Sequence, residues 1–130
     1  MAQPEALLWK SIKKVLEQHK FFLTRIETQT ISGVPDAFGS FEGFSFWLEL
    51  KSNQVNFPTL NKYQIVWINR AIKYNVNVLI LHKAQKHKAL KIYRPRSFFT
   101  DPRAIEPYFI CEIPIDWPVL VDQLKRAVLT

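Results

Sequence analysis

Residues 44–81 constrain the fold more than any other stretch of the chain. Residues 44–51 alternate as a strand does, with Phe46, Leu48 and Leu50 on one face and Trp47, Glu49 and Lys51 on the other. A polar loop over 52–58 follows, and Thr59 is read as opening a helix. Its apolar stripe runs through Leu60, Tyr63, Trp67, Ile68, Ala71 and Ile72 to a cap at Asn75. Residues 76–81 are rich in aliphatic and β-branched side chains, as in a buried strand reached through a helical crossover. A strand, a helix and a buried strand in that order predict an α/β domain.

The flanking segments extend the pattern. Leu7, Leu8, Ile12, Val15 and Leu16 fall at helical spacing over residues 4–19. Over 20–31 the period changes to two, with Phe22, Thr24, Ile26 and Thr28 alternating with Leu23, Arg25 and Glu27. Asp36-Ala37-Phe38 begins a second strand, and residues 39–43 are read as a hairpin loop. Further strands are expected over 90–93 and at a short edge over 108–115, after a basic loop or strand extension at 82–88 and an irregular segment at 94–107. Asp116 is a good helix N-cap, with Pro118 in the first turn and Val121, Leu124 and Val128 on a buried face. The order is αβββαβ with C-terminal accessory strands and a helix. A single domain over 1–130 is expected, with a core of about 4–93 and an accessory region of about 94–130.

Charge is distributed unevenly. The chain carries a formal +7, yet residues 50–100 hold ten Lys or Arg and no Asp or Glu. Such local asymmetry suggests a surface facing a polyanion, with a merely solubilising face as the plain alternative. No apolar run reaches the roughly 20 residues of a membrane helix, and the N-terminus lacks the pattern of a signal peptide. The lone Cys111 excludes an internal disulfide and agrees with a reducing, cytoplasmic setting; Phe109-Ile110-Cys111 reads as a strand rather than a nucleophile's setting.

Two acids and a lysine stand out against this background. Ser32-Gly33-Val34-Pro35-Asp36 forms a turn one hairpin upstream of Glu49, and Glu49 and Lys51 share a strand face. Charges inside so apolar a strand are costly unless paired or functional. Two carboxylates on adjacent strands, with an ammonium beside them, suit a hard divalent cation and a phosphate. Asp36 is the candidate bridging ligand, Glu49 the second, and the Leu50 carbonyl a third oxygen. Lys51 would position water and offset charge on the phosphoryl group. The plainer alternative makes Asp36 a turn cap and Glu49–Lys51 an exposed pair.

Pro35-Asp36, twelve intervening residues, and Glu49-Leu50-Lys51 resemble the signature of the PD-(D/E)XK nucleases. With the preceding helix and Phe46-Trp47-Leu48-Glu49-Leu50-Lys51, the chain is similar to virus-type replication-repair nucleases (VRR-NUC) and archaeal-type Holliday junction resolvases. The resemblance covers roughly residues 5–81. It implies a restriction-endonuclease-like core, Mg²⁺- or Mn²⁺-dependent cleavage of DNA, often branched, and frequently a homodimer. It makes Asp36 and Glu49 metal ligands and Lys51 the catalytic lysine. Many members place another acid on the first helix, which Glu5 matches better than Glu17, with Glu27 as a third candidate. Gln64 matches a glutamine that some members turn toward the site.

Lys62, Arg70, Lys73, Lys83, Lys86, Lys88, Arg94 and Arg96 are the candidate phosphate contacts. Tyr93 and the Phe98-Phe99 pair are core or dimer contacts, or stack on unpaired bases. His82 and His87 are read as surface or phosphate-contacting. The leading function is a metal-dependent endonuclease for branched DNA such as Holliday junctions. A sequence-specific restriction- or homing-type endonuclease and a non-catalytic nucleic-acid-binding module are the alternatives. The stand-alone format suggests phage or mobile DNA, by resemblance.

Overall fold

Local signals decide where each element begins and ends in the computed structural model, which describes residues 4–26 and 30–130. Helix α1 spans Pro4–Gln18 and buries Leu8, Ile12 and Leu16, each one turn from the next. Strand β1 is Phe22–Arg25, β2 is Ala37–Phe41 and β3 is Phe44–Asn53. Helix α2 spans Lys62–Lys73, followed by β4 at Val78–Ala84, β5 at Ala89–Tyr93, β6 at Pro107–Glu112 and helix α3 at Trp117–Leu129. The six strands form one sheet in chain order, antiparallel throughout except for the parallel pair β3–β4 that α2 connects. This is the mixed α/β architecture expected, in the expected order. Among the described residues no helix is long and apolar enough to cross a membrane.

Several boundaries differ from the sequence reading. Strand β1 is shorter than 20–31, part of which lies outside the described residues, and β6 stops at Glu112 rather than 115. The hairpin loop is shorter than 39–43, because only Glu42 and Gly43 turn, with φ of 52° and 83°, as a two-residue type I′ connection requires. Gly39 lies inside β2 for a packing reason: a Cβ there would sit 2.5 Å from the Phe46 ring and 2.9 Å from Leu23. Helix α2 is capped by Asn61, not Thr59. Asn61 accepts from the Gln64 N–H while the Gln64 side chain accepts from the Asn61 N–H, both at 3.0 Å, a reciprocal capping box. Strand β4 begins two residues later than expected, leaving Val76 exposed after Asn75 turns at φ 59°. It then continues through His82 to Ala84.

The sheet separates two cores. Helices α1 and α3 cover the face bearing Phe46, Leu48, Leu50, Leu79, Leu81, Leu90 and Ile92. Helix α2 covers the other face through Ile68 and Ala71 over Val78, Ile80 and Tyr93. Strand β4 is buried on both sides, as the middle of a three-layer α/β sheet should be. Helix α3 contributes Leu120, Val121, Leu124, Ala127 and Val128 to the same core as α1, so the C-terminal region is part of the principal packing. Glu49 and Lys51 therefore fall on the α2 side, beside an apolar core rather than in open solvent.

Candidate active site

The candidate site forms where two strands part. The β2–β3 ladder ends at Ala37↔Leu48, while β3 runs on beside β4 to the pair Asn53↔Ala84. Beyond Leu48 the edge of β3 that faced β2 is open, and Asp36 fills the notch. The Leu50 N–H, with no strand partner there, donates to Asp36 Oδ2 at 2.7 Å. A strand residue turns its N–H and carbonyl to the same edge, so the Leu50 carbonyl faces the same notch. The Asp36 backbone is anchored too, its carbonyl accepting from the Ile26 N–H at 2.8 Å.

Glu49 is 2% exposed, and two groups converge on its Oε2. The Gln64 side-chain amide donates to it at 3.0 Å, and the Lys51 ammonium stands 3.4 Å away. Gln64 serves two structures at once, since its carbonyl oxygen completes the α2 capping box while its NH₂ reaches Glu49. The cap thereby fixes the rotamer that positions the carboxylate. Burial, and next the Asp36 carboxylate, raise the Glu49 carboxyl to about 8, against the pull of the Lys51 ammonium. The notch thus sets two acids against two cations, the Lys51 ammonium beside Glu49 and the Arg25 guanidinium 3.9 Å from Asp36. Its donors are hard oxygens, so Asp36, Glu49 and the Leu50 carbonyl fit a divalent cation of the Mg²⁺ or Mn²⁺ type.

Asp36, Glu49, Leu50, Lys51 and Gln64 thus meet at one notch. Glu5 is half-buried on the first turn of α1, one turn before Trp9, whose ring lies under the Arg25 guanidinium, and Glu17 pairs with Lys13 at 2.9 Å. Among the described residues no three His, Cys, Asp or Glu are grouped closely enough to share a metal. Glu27 lies outside the described residues. Lys62, Arg70 and Lys73 are exposed on α2, and Lys86 and Lys88 at the β4–β5 turn. Lys83 is half-buried, next to the inward-facing His82 and so on the opposite face from it. Arg94 is taken up by the C-terminus, donating to the Ala127 carbonyl at 3.5 Å and to the Thr130 hydroxyl, with its guanidinium 4.5 Å over the Tyr108 ring. Arg96 is exposed.

Two aromatic residues fall in the core as expected, and one histidine departs from the surface reading. Tyr93 and Phe99 are core residues beneath α2, whereas Phe98 is 76% exposed. His82 is not a surface residue: it is fully buried, with Nε2 2.7 Å from Asn53 Oδ1. Alternation on β4 explains the correction, since His82 follows Ile80 on the α2 face. Sequence reasoning passed over two further residues. Arg25 Nη2 lies 3.9 Å from Asp36 Oδ1, brought there by the β1–β2 register that sets Arg25 opposite Ala37, and no local signal in the sequence shows it. Lys91 is almost wholly buried and donates to the Asn56 carbonyl at 3.0 Å. The registers Lys51↔His82 and His82↔Lys91 set three nitrogen bases in one row across the sheet.

Neutral His82 makes stability depend on pH. Burial first, then Lys91 and His87, lower its pKa from 6.5 to about 4. Protonation therefore favours the unfolded chain, so the contribution is complete above about pH 6.5 and lost as pH falls toward 4, on the order of 3 kcal/mol. His82→Gln keeps a donor for Asn53 and removes the titration. Urea midpoints measured at pH 4.5 and 7 should show the variant gaining on the wild type as the pH falls. Parallel curves for the two proteins would contradict a buried neutral imidazole.

The class this fold defines is an α/β domain with a restriction-endonuclease-like core. No protein-family model and no curated protein sequence matches the chain. Among solved structures it is similar to Archaeoglobus fulgidus Hjc, a Holliday junction resolvase from an archaeal hyperthermophile. The TM-score is 0.55 at 13% identity, over 95% of this chain and 97% of that one. A second structure, SSO0001, gives a TM-score of 0.34 at 13% identity over 95% of this chain and 57% of the other, and carries no argument. The first likeness is one of fold, and it does not single out the virus-type replication-repair branch.

Proposed function

We propose that this chain is a divalent-metal-dependent endonuclease that hydrolyses DNA phosphodiester bonds, selecting branched DNA such as Holliday junctions. The observation that carries the reading is the meeting of Asp36, Glu49 and Lys51 at the end of the β2–β3 ladder, in a fold shared with a junction resolvase. Asp36, Glu49 and the Leu50 carbonyl would hold Mg²⁺ or Mn²⁺. Such a cation polarises the phosphoryl oxygens and makes water a competent nucleophile near neutral pH.

The protein's own groups divide the remaining work. Leu50 N–H holds Asp36 and Gln64 holds Glu49, so both carboxylates are oriented before substrate arrives. The Lys51 ammonium lies beside Glu49 Oε2 and offsets negative charge that grows on the phosphoryl group. The acid-free basic tract of residues 50–100 supports a DNA partner. A homodimer belongs to the same proposal, because two symmetric sites can cut two strands of one junction.

The test offers purified protein a four-way junction, a flap and a linear duplex, each with Mg²⁺, Mn²⁺ or EDTA. Cutting of branched DNA in metal and none in EDTA is the expected result. Cleavage confined to one linear sequence would favour the restriction- or homing-type alternative. No cutting of any substrate in either metal would leave a nucleic-acid-binding module.

A further inference from the structure

The outer face of α2 carries a stripe that the site described above does not use. Tyr63, Val66 and Arg70 follow one another at helical spacing, Tyr74 caps the helix C-terminus one turn on, and all four are exposed. Tyr63 is 53% and Tyr74 66% exposed, and Phe98, packed near the same end, is the most exposed aromatic among the described residues. Three shallow depressions of about 200, 560 and 400 Å³ all have Arg70 in their lining. Each exposed tyrosine is accompanied by a cation: Lys62 lies 5.1 Å from the Tyr63 ring centroid and Lys73 lies 5.8 Å from that of Tyr74. Helix α2 contains no Asp or Glu.

The stripe also begins at the candidate site. Gln64, next to Tyr63, is bonded to Glu49. The turn that leads to Asp36 presses on the same point, since a Cβ on Gly33 would lie 2.2 Å from the Tyr63 carbonyl oxygen. From Tyr63 to Tyr74 the helix rises about 16 Å, enough for a few bases at the roughly 3.4 Å spacing of a stacked strand.

We infer that the outer face of α2 is a track for unpaired nucleotides, with tyrosines stacking on bases and Lys62, Arg70 and Lys73 holding phosphates. Exposed rings at both ends of a cationic stripe suit a single strand, whereas a paired helix hides its base faces. A second copy of this chain fits less well. A two-fold contact presents the same patch twice, which would set Arg70 and the lysines against their own copies with no acid on the helix to compensate. The inference rests on the nuclease reading only for its consequence, that the favoured branch has an unpaired arm.

Binding in EDTA separates the two. Fluorescence anisotropy compares an oligo(dT) with an abasic strand of equal length and charge. Each stacked base is worth roughly 5- to 150-fold in affinity, so oligo(dT) should bind at least about 10-fold tighter. The Tyr63→Ala, Tyr74→Ala double variant should lose that preference with an unchanged melting temperature, and the Tyr63→Phe, Tyr74→Phe double variant should keep it. Equal binding of the two strands by the wild type overturns the track, as does conversion of a dimer to a monomer by the alanine pair in sedimentation. Either result leaves the nuclease reading intact. Conversely, strand preference without cutting of any substrate in metal keeps the track and removes the nuclease.

Discussion

Glu49→Gln is expected to abolish cleavage and, in the same protein, to raise stability at pH 8. The carboxyl is 2% exposed and raised to about 8, chiefly by burial and then by Asp36. Its folded pKa lies above the unfolded value of 4.5, so the favourable contribution is complete below pH 4.5. It is lost as pH rises toward 8, because the unfolded chain releases a proton that the folded one keeps. The loss is on the order of 4 kcal/mol across that window. Glutamine is neutral, nearly isosteric, and still offers an oxygen to the Gln64 amide. Without metal, the variant should therefore melt several degrees above the wild type at pH 8 and converge with it near pH 4. Added Mg²⁺ should raise the melting temperature of the wild type far more than that of the variant. Cleavage should fall by at least about 10²–10³-fold. Superimposable melting curves at pH 8 would mean that Glu49 ionises freely in the fold, and the account of a carboxyl held neutral by burial and by Asp36 would fail. Between pH 4.5 and 6.5 this linkage opposes that of His82, so the wild type should show a flatter pH profile there than either variant.

Lys51→Ala is expected to reduce cleavage by about 10²–10⁴-fold while DNA binding weakens only slightly. The Lys51 side chain is 15% exposed and its ammonium stands 3.4 Å from Glu49 Oε2, the one cation in an ion pair with that carboxylate among the described residues. Removing it deprives the phosphoryl group of a positive charge. It also removes a charge that lowers the Glu49 pKa, so the carboxylate becomes harder to ionise. Two consequences can be separated by measurement. Single-turnover rates at one pH report the first, and an alkaline shift in the acid limb of the residual pH–rate profile reports the second. Affinity for a junction in EDTA should drop by no more than one phosphate contact's share of the salt slope. A variant that cuts at the wild-type rate would show that the reacting phosphate lies elsewhere.

Much of this site was legible without coordinates because its signals are short-range. Glu49 and Lys51 share a face through strand alternation alone, and Asp36 reaches them because one hairpin separates the two segments. Hairpins join sequence neighbours into spatial neighbours, so spacing was informative there. Gln64 carries little local signal, since an exposed glutamine on a helix is common. Its meaning came from the Asn61 capping box, which turns one end of the amide to the helix start and the other to Glu49. His82 was misread because a histidine followed by Lys83 in a basic stretch looks like surface. The side of β4 it occupies depends on register with β3, a long-range property. The same cause hid Lys91, whose buried ammonium sits two strands from Lys51.

By itself, the sequence determined the types and order of the elements, the α/β class, and the local pairing of Glu49 with Lys51. These follow from hydrophobic periods, caps and turns that act over a few residues. Only the tertiary structure decided that β2 starts just after Asp36 while β3 continues, opening the notch in which the Leu50 N–H meets that carboxylate. It alone decided that α2 lies over Glu49 and leaves Tyr63 and Tyr74 outside. Burial and charge coupling arise from packing between segments distant in the chain, and no local pattern encodes which face another segment will cover.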